Sequence, residues 1–145
     1  MIKIEFNRPA TNSWLAWCEE CSEHQIILNN SHAIGDPQDV DEKLYRKQKE
    51  VYFDLHDVFH GKCAYCETLI AANHPGDLDH FRPKGRVTES GKPVVIVDDS
   101  GKEISHPGYY WLCYNSGNLL PACEDCNRPS KQKTGGRRIG KWDEF

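Results

Sequence analysis

Two cysteine pairs in the 145-residue chain have the spacing of metal knuckles: Cys63-Ala-Tyr-Cys66 and Cys123-Glu-Asp-Cys126. Each can offer two thiolates to one tetrahedral ion, and together they make a closed four-sulfur site for Zn²⁺. Four thiolates outweigh the charge of one Zn²⁺, so such a site holds shape and is no Lewis acid. Any chemistry must come from other residues. Between the knuckles runs Asp77-Leu-Asp-His-Phe-Arg-Pro-Lys84. On a strand, Asp79 and His80 fall on opposite faces, so one can bind a metal while the other faces a different part of the pocket. A solvent-exposed surface pair is the plain alternative. Arg82 and Lys84 follow, Asn118 precedes the second knuckle, and Asn127 abuts Cys126. A side chain next to a zinc ligand is held rigidly, as a reactive site requires. Asn127 can equally serve only to cap or end its turn.

The remaining cysteines read differently. Cys18-Glu-Glu-Cys21, with His24 beyond, falls on a stretch shared with Trp14 and Trp17, where cysteines serve as small core residues. Cys113, among Trp111 and Tyr114, reads as core too. Met1-Ile-Lys-Ile-Glu-Phe has no apolar run after its lysine, so no secretory signal is expected and the cytosol is the default address. Seven cysteines, an odd number, in a reducing compartment disfavour a disulfide framework. No apolar run approaches a membrane span.

The elements that must position these residues follow from periodicity. A chain of this length supports one domain-sized core. Residues 2 to 6 suggest a short strand ended by Pro9. Asn12 or Ser13 is expected to cap a helix running to about Leu28, broken by Asn29-Asn30-Ser31 and Gly35-Asp36-Pro37. Val40, Leu44, Val51, Leu55 and Val58 recur at helical steps, which predicts a second helix from Pro37 to His60 with Gly61 as its stop. These two N-terminal helices form a scaffold, residues 1–61. Beyond Gly61 the texture turns irregular. Short strands are expected at 67–70, 77–82 and 94–97, a helical turn at 108–114, and an extended segment at 118–121. A helix over 124–133 would have to kink or break early at Pro129.

Charge is uneven. Residues 1–61 carry 6 basic and 11 acidic side chains, residues 62–126 carry 6 and 9, and residues 127–145 carry 6 and 2. The C-terminal end is therefore the part that would welcome a polyanion, or else a solvated basic face.

Taken together these residues resemble the HNH endonucleases. Their ββα-metal core has Asp-His on the first strand, Asn before the second, and His or Asn on the following helix, often with two knuckles clasping zinc. The matching positions are Asp79, His80, Asn118 and Asn127, with Cys63, Cys66, Cys123 and Cys126. The stretches Lys62–Glu67, Asp79–Lys84, Gly108–Leu112 and Asn118–Arg128 look like the PtuB-type nucleases of Septu anti-phage systems and some retrons, which work beside a PtuA-type ATPase. Members of that family usually continue past the position of Phe145.

The resemblance implies an α+β fold: a ββα-metal core over residues 62–145, stapled by zinc, interrupted by an insertion at 84–117, and forming one unit with the helical scaffold. It implies metal-dependent hydrolysis of DNA phosphodiester bonds. His80 would be the general base, and Asp79 and Asn127 the ligands of a catalytic Mg²⁺ or Mn²⁺. Asn118 would fix the loop that positions His80. Arg82, Lys84, Arg128 and Lys131 become candidate phosphate contacts. Two other readings stand beside this one: a zinc-ribbon interaction or nucleic-acid-binding module without catalysis, and a sequence-specific restriction nuclease.

Overall fold

A computed structural model describes residues 9, 11–37, 39–46, 49–70, 76–128, 130–131, 138–139 and 141. The strand expected at residues 2 to 6 lies outside them. The first helix, α1 (Asn12–Ala33), is capped by Thr11 rather than by Asn12 or Ser13: the Thr11 Oγ1 accepts from the Trp14 amide at 3.1 Å. It also donates to Asp54 Oδ2 at 2.8 Å, which ties the start of α1 to a later helix. The helix continues through Asn29-Asn30-Ser31, where the sequence predicts its end. Ser31 is buried there, and its hydroxyl donates to the Leu28 carbonyl at 2.8 Å without leaving helical geometry. The stop comes at Gly35, whose φ is +76°.

Of the second helix expected over Pro37–His60, the described residues show helix at Lys43–Arg46 (α2) and Lys49–Val58 (α3), beginning at Lys43 rather than Pro37. Among the described residues α1 is the one long N-terminal helix. The apolar stripe nonetheless reaches the core. Leu44 and Leu55 are buried with Trp14, Trp17, Cys21 and Leu28 of α1 and with Cys113, Tyr114 and Leu119 from the second half. Trp17 adds its indole N–H to the Leu44 carbonyl, so a buried donor is satisfied at the contact. Gly61 ends α3 as expected, with φ +69° and its amide on the His56 carbonyl at 2.8 Å.

The segment 67–70 is not a strand. Glu67 takes φ +61°, Cys63 N–H donates to Thr68 O, and Ile70 N–H donates to Gly61 O, leaving only an isolated bridge between Lys62 and Leu69. The chain is turning around its first cysteine pair. Strand β1 (Asp77–His80) then pairs antiparallel with a distant strand, and between them lie three smaller pieces: β2 (Thr88–Glu89) with β3 (Lys92–Pro93), β4 (Val95–Val97) with β5 (Glu103–Ser105), and two 3-10 turns at Tyr110–Leu112 and Ser116–Asn118. The partner of β1 is β6 (Leu119–Ala122), in the register Asp77↔Ala122 and His80↔Leu119. Helix α4 (Glu124–Asn127) follows immediately and is only one turn long. Arg128 is already extended, as a residue before proline should be. The chain goes on to pair β7 (Ser130–Lys131) with β8 (Arg138–Ile139). The result is mixed α+β, with a β1–β6–α4 unit at its centre. Among the described residues no helix is long and apolar enough to cross a membrane.

One glycine in this frame is open to direct test. Gly108 has φ +87°, and a Cβ there would stand 2.6 Å from the Gly85 nitrogen and 2.5 Å from its carbonyl carbon. Both are backbone atoms that cannot swing away. This close approach, with Tyr109 N–H on Pro83 O at 2.7 Å, holds the loop after β1 against the aromatic turn. Gly108→Ala should lower the melting temperature markedly, by strain of about 1–3 kcal/mol plus the clash. Gly101→Ala is the matched control, since its φ of +82° is similar but nothing lies within 4 Å. Equal shifts for the two in a thermal melt would show that the Gly85 contact is unimportant.

Candidate functional site

The four knuckle cysteines converge. Their sulfurs lie within 4.8 Å of one another, and Cys66 Sγ is 3.6 Å from Cys123 Sγ. Zn–S bonds of about 2.3 Å in a tetrahedron put sulfurs about 3.8 Å apart, so this donor set fits Zn²⁺. Backbone bonds shape it. Cys123 N–H donates to Cys63 Sγ at 3.3 Å, Ala64 N–H donates to Pro121 O at 2.9 Å, and both Cys126 and Asn127 amides point at Cys123 O. The Thr68 hydroxyl and amide draw the Cys66 thiol down to about 6, whereas burial raises Cys123 and Cys126. A divalent cation removes that conflict by making every sulfur a thiolate. Cys63 packs with Ile70 and Ala122 in a small core beneath the site. Cys18 and Cys21 take no part, since among the described residues the metal-capable group contains only the four knuckle cysteines. Cys21 is buried in the main core with Cys113, and Cys18 packs against it.

Strand β1 runs from beside this cluster into the main core, and alternation divides its side chains. On one face stand Asp77 and Asp79. Asp79 is buried, and its Oδ2 accepts from the Tyr65 hydroxyl at 2.5 Å and faces Lys141 Nζ at 3.4 Å. Burial raises the Asp79 carboxyl, while Tyr65 and Lys141 counter it. Tyr65 is itself raised by burial and by this bond. Lys141 Nζ also donates to the His80 carbonyl at 2.7 Å, and its backbone N–H donates to Cys126 O. Asp77 accepts from Asn127 Nδ2 at 3.0 Å and grips Arg128 with both oxygens, at 2.8 and 2.7 Å. Asn127 is thus bonded to Asp77, two residues from the Asp79 that sequence reasoning paired with it.

On the other face His80 is 7% exposed, with Nε2 2.9 Å from the Cys113 carbonyl. A carbonyl only accepts, so Nε2 carries the proton and Nδ1 carries the lone pair. Burial, aided by Lys84 and Lys141, pushes the imidazole down to about 4, so it is neutral at physiological pH. Asn118 ties down the residues that follow His80. Its carbonyl takes the Phe81 amide at 2.9 Å, its Oδ1 takes the Arg82 amide at 2.8 Å, and its Nδ2 donates to the Arg82 and Leu112 carbonyls. Those bonds end β1 at His80 and account for the strand being shorter than the expected 77–82.

The candidate phosphate contacts are largely engaged. Arg82 lies over the Tyr109 ring at 5.0 Å, Lys84 pairs with Glu42 at 2.9 Å, and Arg128 is shared between Asp77 and Glu124. Lys131 sits in β7. Sequence reasoning missed Tyr65, Asp77, Lys141 and the Cys113 carbonyl. Asp77 carried a readable signal, because residues i and i+2 of a strand share a face. Lys141, 61 residues beyond His80, carried none.

The chain is similar to Septu protein PtuB of Bacillus mycoides (strain KBAB4), 38% identical over 86 residues. That match covers 59% of this chain and 26% of the relative's length. No family model matches the chain, and no solved structure does.

Proposed function

We propose that the chain is an HNH-type endonuclease subunit that hydrolyses DNA phosphodiester bonds in anti-phage defence. The observation that carries the reading is the division of β1: a buried neutral His80 with its lone pair on Nδ1 behind one face, and the Asp79 carboxylate on the other. In this reading His80 accepts the proton of the attacking water at Nδ1, and the Cys113 carbonyl fixes the tautomer through Nε2. Asn118 holds the loop after His80 and so the direction of the imidazole. Asp79 and Asn127 offer hard oxygen donors, which suit Mg²⁺ or Mn²⁺. A cation held there would neutralise charge developing on the phosphate. Asn127, having given its amide nitrogen to Asp77, keeps Oδ1 as its donor atom. The four-cysteine site, holding Zn²⁺, keeps β6 and α4 in place beside β1.

Plasmid digestion with Mg²⁺ or Mn²⁺ tests this directly. Nicking by the native chain that disappears in Asp79→Ala supports it, and no cleavage under any divalent metal would favour the zinc-ribbon module. Discrete bands in place of smears would mark a restriction nuclease.

A partner belongs to this reading. Among the described residues, the Lys84, Arg128 and Lys141 cations near β1 each face a carboxylate, so they reach phosphates only on rearrangement. Duplex affinity falls by about 0.9 log units per neutralised phosphate per decade of salt. The isolated chain should therefore bind duplex weakly and show a shallow salt slope, and an ATPase of the PtuA type is the proposed source of grip and control. Titrations at roughly 50 to 200 mM salt check it. Tight, salt-tolerant binding by the chain alone would refute the dependence.

A further inference from the structure

Among the described residues, the side-chain partners of the Asp79 carboxylate gather on one oxygen, while the His80 backbone also hydrogen-bonds to the carboxylate. Oδ2 receives the Tyr65 hydroxyl at 2.5 Å and faces the Lys141 ammonium at 3.4 Å. An sp² carboxylate oxygen presents two lone-pair directions, and here both have a partner. The two partners come from rigid surroundings. Tyr65 sits inside the first cysteine knuckle, and the Lys141 backbone is bonded to Cys126 of the second. Lys141 is further fixed by its bond to the His80 carbonyl.

We propose that Tyr65 and Lys141 are metal-selecting residues: by occupying Oδ2 they leave Asp79 a one-oxygen ligand, and so set the site for Mg²⁺ or Mn²⁺ against Ca²⁺. This rests on the reading of Asp79 as a ligand of the catalytic cation. Ca²⁺ takes six to eight oxygens in flexible geometry and often binds a carboxylate through both. Mg²⁺ requires a near-octahedral shell at about 2.0–2.1 Å and is content with single carboxylate oxygens and water. Bidentate binding at Asp79 would require Oδ2 to give up a hydrogen bond and would bring a second positive charge against Lys141. Neither residue touches the cation in this scheme. They position Asp79, one as a donor and the other as a fixed charge.

The test uses the full chain with Mn²⁺ as the probe, its binding followed by the loss of free-ion signal in electron paramagnetic resonance, and Ca²⁺ as competitor. The native chain should bind Mn²⁺ and release it only to a large excess of Ca²⁺. In Tyr65→Phe, in Lys141→Met and most of all in the double variant, the Ca²⁺ needed for half-displacement should fall, on the order of 10-fold, the size seen when a supporting partner of a metal ligand is removed. Zinc content and circular dichroism verify that each variant keeps its fold, and Tyr65→Phe removes only a hydroxyl. An unchanged Ca²⁺ requirement in both single variants would overturn the selection role while leaving the metal site standing. Mn²⁺ bound as well by Asp79→Asn as by the native chain would overturn the reading of Asp79, and this inference with it.

Discussion

Cys123→Ser should lose zinc, as measured by elemental analysis, to far below stoichiometric content, and should unfold the second half of the chain. Cys123 joins two knuckles 57 residues apart in sequence and donates its backbone amide to Cys63 Sγ. The core beneath the cluster is small, with Cys63, Ile70 and Ala122 as its buried members. Apolar burial therefore cannot replace the metal. Binding of structural Zn²⁺ is worth about 10–16 kcal/mol in small zinc-folded peptides, as much as the whole stability of an ordinary domain. Removing one ligand should accordingly release β6 and α4 from β1 and collapse both faces of the candidate site. Cys18→Ser is the control, because its thiol packs beside the tryptophan core and belongs to no metal group among the described residues. Full zinc occupancy in Cys63→Ala and Cys123→Ser alike would sink the four-sulfur site.

His80→Ala is expected to cut cleavage by on the order of 100-fold or more, the usual loss on deleting a general base. It should not be silent in stability. His80 is buried, and truncation leaves a cavity and strips the Cys113 carbonyl of its donor, a cost of about 1–3 kcal/mol. His80→Gln separates the two effects. Glutamine can still donate to that carbonyl yet accepts no proton at neutral pH, so it should recover much of the melting temperature and none of the activity. Cleavage at the native rate by His80→Gln, at native zinc content, would remove His80 from the chemistry.

How far these residues could be read without coordinates depends on the range over which each signal acts. The four cysteines were legible because metal chemistry imposes a spacing of its own. The separation of Asp79 from His80 was legible because strand alternation is a local rule. The stop at Gly61 and the early break before Pro129 were legible for the same reason: each is a property of one residue's allowed dihedrals. The second N-terminal helix begins at Lys43 rather than Pro37, because periodic apolar residues mark which side faces the core and say nothing of where helical hydrogen bonding starts. The continuation of α1 through Asn29-Asn30-Ser31 was missed because burial of Ser31 against the core outweighed a weak local preference.

What only the tertiary structure decided are the partners of the site. Antiparallel pairing of β1 with β6 brings the second knuckle beside Asp77, so Asn127 and Arg128 meet Asp77 and not Asp79. Packing of the aromatic turn sets a backbone carbonyl, which no side-chain pattern announces, against His80. Lys141 reaches Asp79 through the backbone bond that returns it to Cys126. The sequence by itself determined which residue types could hold a metal or move a proton. Which oxygen of Asp79 receives Tyr65 and Lys141, and which nitrogen of His80 carries the lone pair, depend on contacts between residues distant in sequence, and such contacts exist only once the chain has closed on itself.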